Sequence, residues 1–217
     1  MKSVVAVFAH PDDEAFGPSG TLALLAKERP VYLICVTDGS AGMNSSAKTH
    51  ALTLIRKEEL LASAKILGIK EVFFLNYKDG TLSNNLYHEV AEKVQKIVEE
   101  LKPEVLITYE SRGVSGHLDH IAVSFIITYV FEHSNVSELW YYCITQKRRE
   151  AFKDYFIYFP PGYAKEKIDK VVDVSGIWEQ KLQAMHQHES QMHDVERILA
   201  GYKELPKEEN FIIRKRV

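Results

Sequence analysis

Apolar positions along this chain follow two rhythms. Short unbroken apolar runs give way to stretches with an apolar residue every third or fourth position, the spacing of one helix face. Val4–Ala9 and Val31–Val36 read as buried strands, Val72–Leu75 and Val105–Tyr109 as shorter ones, and Leu139–Thr145 as another. Between them, Gly20–Glu28, Leu52–Leu67, Tyr87–Leu101 and His117–Phe131 carry helical spacing. Gly68 is a natural helix stop, and Pro103 precedes the strand at Val105. Further on, Val171–Val174 reads as a strand, Ile177–Met185 as a helix and Phe211–Arg214 as a closing edge strand. The polar stretch 40–49 reads as a long loop, and the aromatic stretch 146–168 fits neither rhythm.

Strands that alternate with helices pair in parallel. The pattern therefore predicts an α/β fold, a Rossmann-like three-layer sandwich around a mostly parallel sheet. A chain of 217 residues without internal repeats can bury one good core, so 1–217 reads as a single domain. In the common 3-2-1-4-5 strand order the first and fourth strands are neighbours. That is where strand order reverses and where ligands bind, beyond the carboxyl ends of the strands.

Both of those strands lead into chemistry. The first runs directly into His10-Pro11-Asp12-Asp13-Glu14. A buried strand that ends in three acids needs something there to offset their charge. A divalent metal with a general base accounts for it. His117-Leu118-Asp119-His120, shortly after the fourth strand, supplies the other half of the site. His10, Asp13 and His120 are the expected metal ligands, because zinc takes imidazole and carboxylate and a catalytic site keeps three protein ligands. Zn2+ is the expected cofactor, and Fe2+ suits the same donors. His117 and His120 are three apart at a helix start and share a face. Asp12, beside a ligand, is the expected base for a water whose pKa a divalent ion lowers from ~16 to ~7. Asp119 is placed to hold an imidazole nitrogen. His50, His88, His133, His186 and His193 read as ordinary polar residues.

Composition narrows the alternatives. The net charge of -3 gives no reason to expect nucleic acid as a partner. Lys147-Arg148-Arg149 and Arg214-Lys215-Arg216 read as solvated surface. The two cysteines, Cys35 and Cys143, lie in apolar runs and read as buried free thiols, which suits a reducing compartment. The first apolar run is too short for a signal peptide, and nothing approaches the ~20 residues of a membrane span. A cytoplasmic location is expected, and homo-oligomer formation is left open. No Gly-x-Gly-x-x-Gly follows the first strand, and no Gly-x-Ser-x-Gly elbow occurs. The aromatics Tyr155, Phe156, Tyr158, Phe159 and Tyr163 fit core or oligomer contacts better than a substrate wall.

With these residues in view, the chain resembles the PIG-L/LmbE-type metal-dependent de-N-acetylases. The resemblance is carried by Ala9-His10-Pro11-Asp12-Asp13-Glu14, Gly20-Thr21-Leu22-Ala23, Thr37-Asp38-Gly39, Arg56 with Glu59, Leu67-Gly68 and His117-x-Asp119-His120. It is dense over residues 4–124, and His188-Glu189-Ser190-Gln191 resembles a late element of the family. Residues 125–217 are expected to complete the sheet and the outer pocket. The resemblance implies hydrolysis of an N-acetyl group from a small N-acetylglucosamine conjugate, with release of acetate and a free amine. The alternatives are a zinc hydrolase acting on a non-sugar acylated amine and, behind it, a metal- or sugar-binding module without catalysis.

By the same resemblance His10, Asp13 and His120 are zinc ligands, and Asp12 is the base. A protonated His117 would stabilise the oxyanion and protonate the departing amine. Arg56 and Asp79 would hold sugar hydroxyls, although Arg56 on a helix could equally pair with Glu59 or Glu28 at the surface. The chain departs from the family pattern at Gly17-Pro18-Ser19-Gly20, at Leu118 in place of a proline, and at Ser115 where some members have tyrosine.

Overall fold

The computed structural model describes residues 2–42, 49–152, 158–203 and 205–216. Its centre is a seven-stranded sheet in the order β3-β2-β1-β4-β5-β7-β6. The strands are β1 (Val4–Phe8), β2 (Val31–Thr37), β3 (Glu71–Tyr77), β4 (Val105–Tyr109), β5 (Glu138–Cys143), β6 (Lys170–Asp173) and β7 (Glu208–Lys215). β1 to β5 pair in parallel, and β7 runs antiparallel to both β5 and β6. Every residue of β1, β2 and β4 is buried. A strand covered on both faces has no polar side to show, which is why these segments read as unbroken apolar runs.

The helices are α1 (Asp13–Phe16), α2 (Ser19–Glu28), α3 (Thr49–Leu67), α4 (Tyr87–Leu101), α5 (Gly113–Gly116), α6 (Leu118–Glu132), α7 (Gln146–Ala151), α8 (Trp178–Met185) and α9 (Met192–Tyr202). Strand order advances one way from β1 to β3, then returns past β1 to β4 and β5. Right-handed crossovers therefore put α2 and α3 on one face and α4 and α6 on the other. α8 packs with α2 and α3, while α4 packs with α6. Among the described residues, no helix is long and apolar enough to cross a membrane. Both cysteines are buried and free.

The C-terminal third differs from the sequence reading. Phe211–Arg214 belongs to β7, which lies inside the sheet; the edge beyond it is β6. Its polar residues concealed this, because Glu209 and Asn210 are buried rather than solvent-facing. α7 lies in the stretch that fitted neither rhythm, and α9 was not anticipated. Arg148 of α7 is no surface residue, at 6% exposure. Of the aromatics, Tyr158 is exposed, Phe159 is buried, and Tyr163 donates to Glu110 at 2.8 Å. Tyr155 and Phe156, like part of the loop 40–49, fall outside the described residues.

A buried ion pair joins the two ends of the fold. Glu209 accepts from the backbone N–H groups of Gly20 and Thr21, at 3.0 and 2.6 Å, at the start of α2. A carboxylate there satisfies donors that have no partner within the helix and meets its positive end. Lys181 of α8 donates to the same Glu209 at 2.8 Å, to the Gly17 carbonyl at 2.7 Å and to Ser19 at 3.0 Å. The approach is so close that a Cβ on Gly20 would lie 2.5 Å from Val174. This contact occupies the turn where the chain departs from the family pattern.

Candidate active site

β1 and β4 are paired from Val4↔Val105 to Ala6↔Ile107, so the segments beyond them meet. Past β1 the backbone turns sharply. Asp12 adopts φ 149°, a conformation rare outside glycine. Arg56 of α3 holds the turn in place. Its Nη2 donates to the Pro11 carbonyl at 2.9 Å and to Asp12 Oδ2 at 2.8 Å, and its Nη1 donates to the Gly39 carbonyl at 2.7 Å. Gly39, at φ +65°, has no room for a side chain, because a Cβ would lie 2.8 Å from the guanidinium. Arg56 is only 3% exposed, so the surface pairing with Glu59 or Glu28 is excluded. Glu59 instead accepts from Ser190, through the backbone N–H and the hydroxyl, both at 2.7 Å.

The segment beyond β4 is strained as well. Val114 sits at φ 62°, ψ -59°, an unfavourable conformation for a β-branched residue. Buried Glu110 holds it there. Glu110 accepts from Val114 N at 2.9 Å, Arg112 N at 3.0 Å, Arg112 Nε at 3.1 Å and the Tyr163 hydroxyl at 2.8 Å. The loop then presents the Gly113 carbonyl 3.1 Å from His120 Nδ1. A proton on Nδ1 satisfies that carbonyl and leaves Nε2 as the free lone pair.

The expected ligands come together. His10 Nδ1 is 3.1 Å from His120 Nε2. Asp13 places Oδ1 3.3 Å from His120 Nε2 and Oδ2 3.4 Å from His10 Nδ1. Donors on a tetrahedral zinc, with bonds of about 2.0–2.1 Å, stand about 3.3 Å apart, so these residues fit a divalent ion. His117 also brings a ring nitrogen within 4.8 Å of those of His10 and His120. Asp13 reaches His120 through Oδ1 and His10 through Oδ2, so it too stands beside both rings. His10, Asp79 and Asp119 form a second such group. It surrounds the opposite nitrogen of the same ring: His10 Nε2 is 3.0 Å from Asp79 Oδ1 and 3.3 Å from Asp119 Oδ2. Carboxylates in that position are suited to orient an imidazole that would ligate a metal through its other nitrogen.

Electrostatics suit these donors. Burial pushes the His120 pKa down to about 4, against the pull of Asp13, which keeps the ring neutral. Burial alone would raise Asp13, but His120 and His10 outweigh it and hold the carboxyl ionised. For Asp12, burial dominates and raises the pKa to about 7, with Arg56 opposing. Burial and then His10 lower the pKa of His117 from its ordinary value, which works against the protonated form implied by the resemblance. His117 Nδ1 accepts from Asp119 N at 3.1 Å and caps α6. That bond leaves Nε2 as the nitrogen free to carry a ring proton.

Asp79 is engaged in more than the anticipated role. Beyond its contact with His10, its Oδ2 accepts from Ala41 N at 3.1 Å. Asp119 accepts from Gly80 N at 2.8 Å and Leu82 N at 3.1 Å, which ties the Asp79-Gly80 turn to α6. A polar cavity of about 270 Å³ is lined by His10, Asp12, Arg56, Asp79 and His117, with Gln191, His193, Asp194 and Arg197 on its other wall. The α9 residues of that wall were missed, and His193 was read as ordinary. Helical spacing after the His188–Gln191 element was the available signal. Glu14, the third acid, turns away from the metal donors. Its Oε1 accepts from Ser63 at 2.6 Å and lies 2.8 Å from His188 Nε2.

The chain is 32% identical over 198 residues to a probable N-acetyl-alpha-D-glucosaminyl L-malate deacetylase 2 of Bacillus cereus, covering 88% of this chain and 84% of that one. It is 30% identical to the diacetylchitobiose deacetylase of Thermococcus kodakarensis, covering 88% and 70%. Among solved structures, the N,N'-diacetylchitobiose deacetylase of Pyrococcus horikoshii superposes with a TM-score of 0.74 at 24% identity, covering 99% of this chain and 84% of that one. The family model described as PIG-L, GlcNAc-PI de-N-acetylase, matches residues 5–131, and the chain belongs to that family.

Proposed function

We propose that this protein is a zinc-dependent N-deacetylase that hydrolyses the acetamido group of a small N-acetylglucosamine conjugate in the cytoplasm. The observation that carries this reading is one polar cavity lined by the His10–Asp13–His120 donor group, by the Asp12 carboxylate that Arg56 tethers, and by His117. A divalent ion held by those three ligands would supply a Lewis acid for the amide carbonyl and make water acidic enough to ionise.

The side chains do the rest. Asp12, tethered by Arg56, takes a proton from the attacking water. His117 Nε2–H points a donor at the carbonyl oxygen as it becomes anionic; one such donor typically contributes about 2.7–4 kcal/mol. The C–N bond then breaks, and Asp12 returns the proton to nitrogen. Arg56 and Asp79 line the wall that would face the sugar hydroxyls. Asp119 keeps His10 aligned from behind.

The test is acetate release from N-acetylglucosamine and simple N-acetylglucosaminides by zinc-loaded protein, run beside Asp12→Ala. Activity in the parent, lost in a variant that still binds zinc stoichiometrically, supports the reading. A zinc-loaded parent that releases no acetate from any of them sinks it.

A further inference from the structure

β4 ends in Tyr109, a buried residue that touches both halves of the metal-donor group. Its ring lies parallel to the His120 imidazole, with 4.2 Å between centroids and 4° between planes. Its hydroxyl accepts from Ala9 N at 3.2 Å, one residue before His10. The same hydroxyl bonds to Asp13, and that bond favours the ionised carboxylate. A phenol carries one proton. With the Ala9 N–H donating to the oxygen, the phenol proton is the one given to Asp13, so none is left over for a substrate.

The surroundings hold this side chain in place. Phe8 of β1 meets the ring edge-on, with centroids 5.0 Å apart. Ser124 Oγ donates to the Tyr109 carbonyl at 2.9 Å. His120 and Ser124 are four apart on α6 and share a helix face, so one covers the ring and the other ties the main chain. Groups around a metal's ligands set their orientation. For His10 that role falls to Asp79 and Asp119. His120 has the Gly113 carbonyl at Nδ1, a single hydrogen bond that leaves the plane of the ring free to tilt. A parallel aromatic face at 4.2 Å removes that freedom.

We propose that Tyr109 is a positioning residue for the metal centre: its ring sets the plane of His120 and its hydroxyl the orientation of Asp13, so one side chain aligns ligands from both motifs. The inference rests on the metal-centre part of the reading above and not on the choice of substrate.

Tyr109→Phe tests it, because it keeps the ring and removes only the hydroxyl. Zinc affinity is measured by competition with a chromophoric chelator, and ligand geometry by the visible spectrum of the cobalt(II)-loaded protein. Both read the centre without turnover, and a melt of the zinc-free variant separates loss of fold from loss of alignment. The variant is expected to bind zinc about tenfold more weakly than the parent, with an altered cobalt spectrum. Parent-like affinity with an unchanged spectrum overturns the proposal. If acetate release at saturating zinc nevertheless falls by about 10²-fold, the hydroxyl serves the reaction directly and Tyr109 is a catalytic residue instead. Should Tyr109→Phe fail to fold, Ser124→Ala loosens the main chain of Tyr109 without touching any metal donor. It should weaken zinc binding severalfold, and parent-like affinity there overturns the proposal. A parent that binds zinc stoichiometrically but releases no acetate ends the deacetylase reading alone. A parent that binds no zinc ends both.

Discussion

Arg56 Nη2 and Asp12 Oδ2 stand 2.8 Å apart with both residues buried, so the carboxylate placed to take protons is tethered to a permanent cation. Arg56 therefore acts on Asp12 as well as facing the cavity. Removing it as Arg56→Gln leaves a buried carboxylate uncompensated, which typically costs about 3–5 kcal/mol. It also frees a strained turn, and a misplacement of this kind lowers turnover by about 10²-fold. Denaturant unfolding and steady-state kinetics on the variant check both. Activity within a few-fold of the parent would show that Asp12 needs no clamp.

Asp119 touches His10 on the nitrogen opposite the metal donors, 3.3 Å away, and anchors the 80–82 turn through two backbone N–H groups. Asp119→Asn keeps the shape but offers a donor where an acceptor is needed. Metal affinity should fall by about 10–100-fold. Competition with a chromophoric zinc chelator measures it. An unchanged affinity would mean that Asp79 alone orients the ring.

Glu110 contacts none of the metal donors, yet it holds the loop that presents the Gly113 carbonyl to His120. Glu110→Gln substitutes an amide donor for one of two oxygens that together accept four hydrogen bonds. The expected cost is about 1–3 kcal/mol in stability, together with weaker zinc binding. Thermal melts with and without zinc separate the two effects. A variant that loses stability but binds zinc as the parent does would confine Glu110 to the fold.

His188 and Glu14 form a pair with no solvent exposure on the imidazole, Nε2 to Oε1 2.8 Å. Burial works to lower the His188 pKa, but Glu14 prevails and carries it above the ordinary 6.5. A pKa raised on folding stabilises fully below about pH 6.5, and the contribution disappears as pH rises through the folded value. His188→Gln should thus cost about 1–3 kcal/mol near pH 6 and less near pH 9. Urea unfolding at the two pH values decides it. A larger cost at the alkaline end would reverse the assigned sign.

The parallel core and the meeting of His10 with His120 were legible because they follow simple rules. Doubly covered strands read as apolar runs, and strand order alone brings His10 and His120 together. Other features were hidden because their determinants are contacts distant in sequence. Glu209 looked like the solvent-facing residue of an edge strand, yet it is buried under Lys181, 28 residues earlier in the chain. Arg148 sat in a basic triplet that resembles surface, and only the tertiary structure covers it. The lowered pKa of His117 depends on burial and on His10, neither visible from its own neighbours. Asp79 gained its contact with His10 from a turn whose position no local pattern encodes.

The supports of the His10–Glu14 turn come from widely separated parts of the sequence. Arg56 secures Asp12, His188 pairs with Glu14, and Glu209 with Lys181 fixes the turn that follows. On the ribosome the His10–Glu14 turn emerges well before two of these supports, since His188 follows Glu14 by 174 residues and Glu209 follows Gly20 by 189. A nascent chain therefore carries most of its ligands long before it can hold them in place. Catalytic competence should arrive late and abruptly, once the strand bearing Glu209 has docked, so arrested chains that stop short of that strand would be translated but inert.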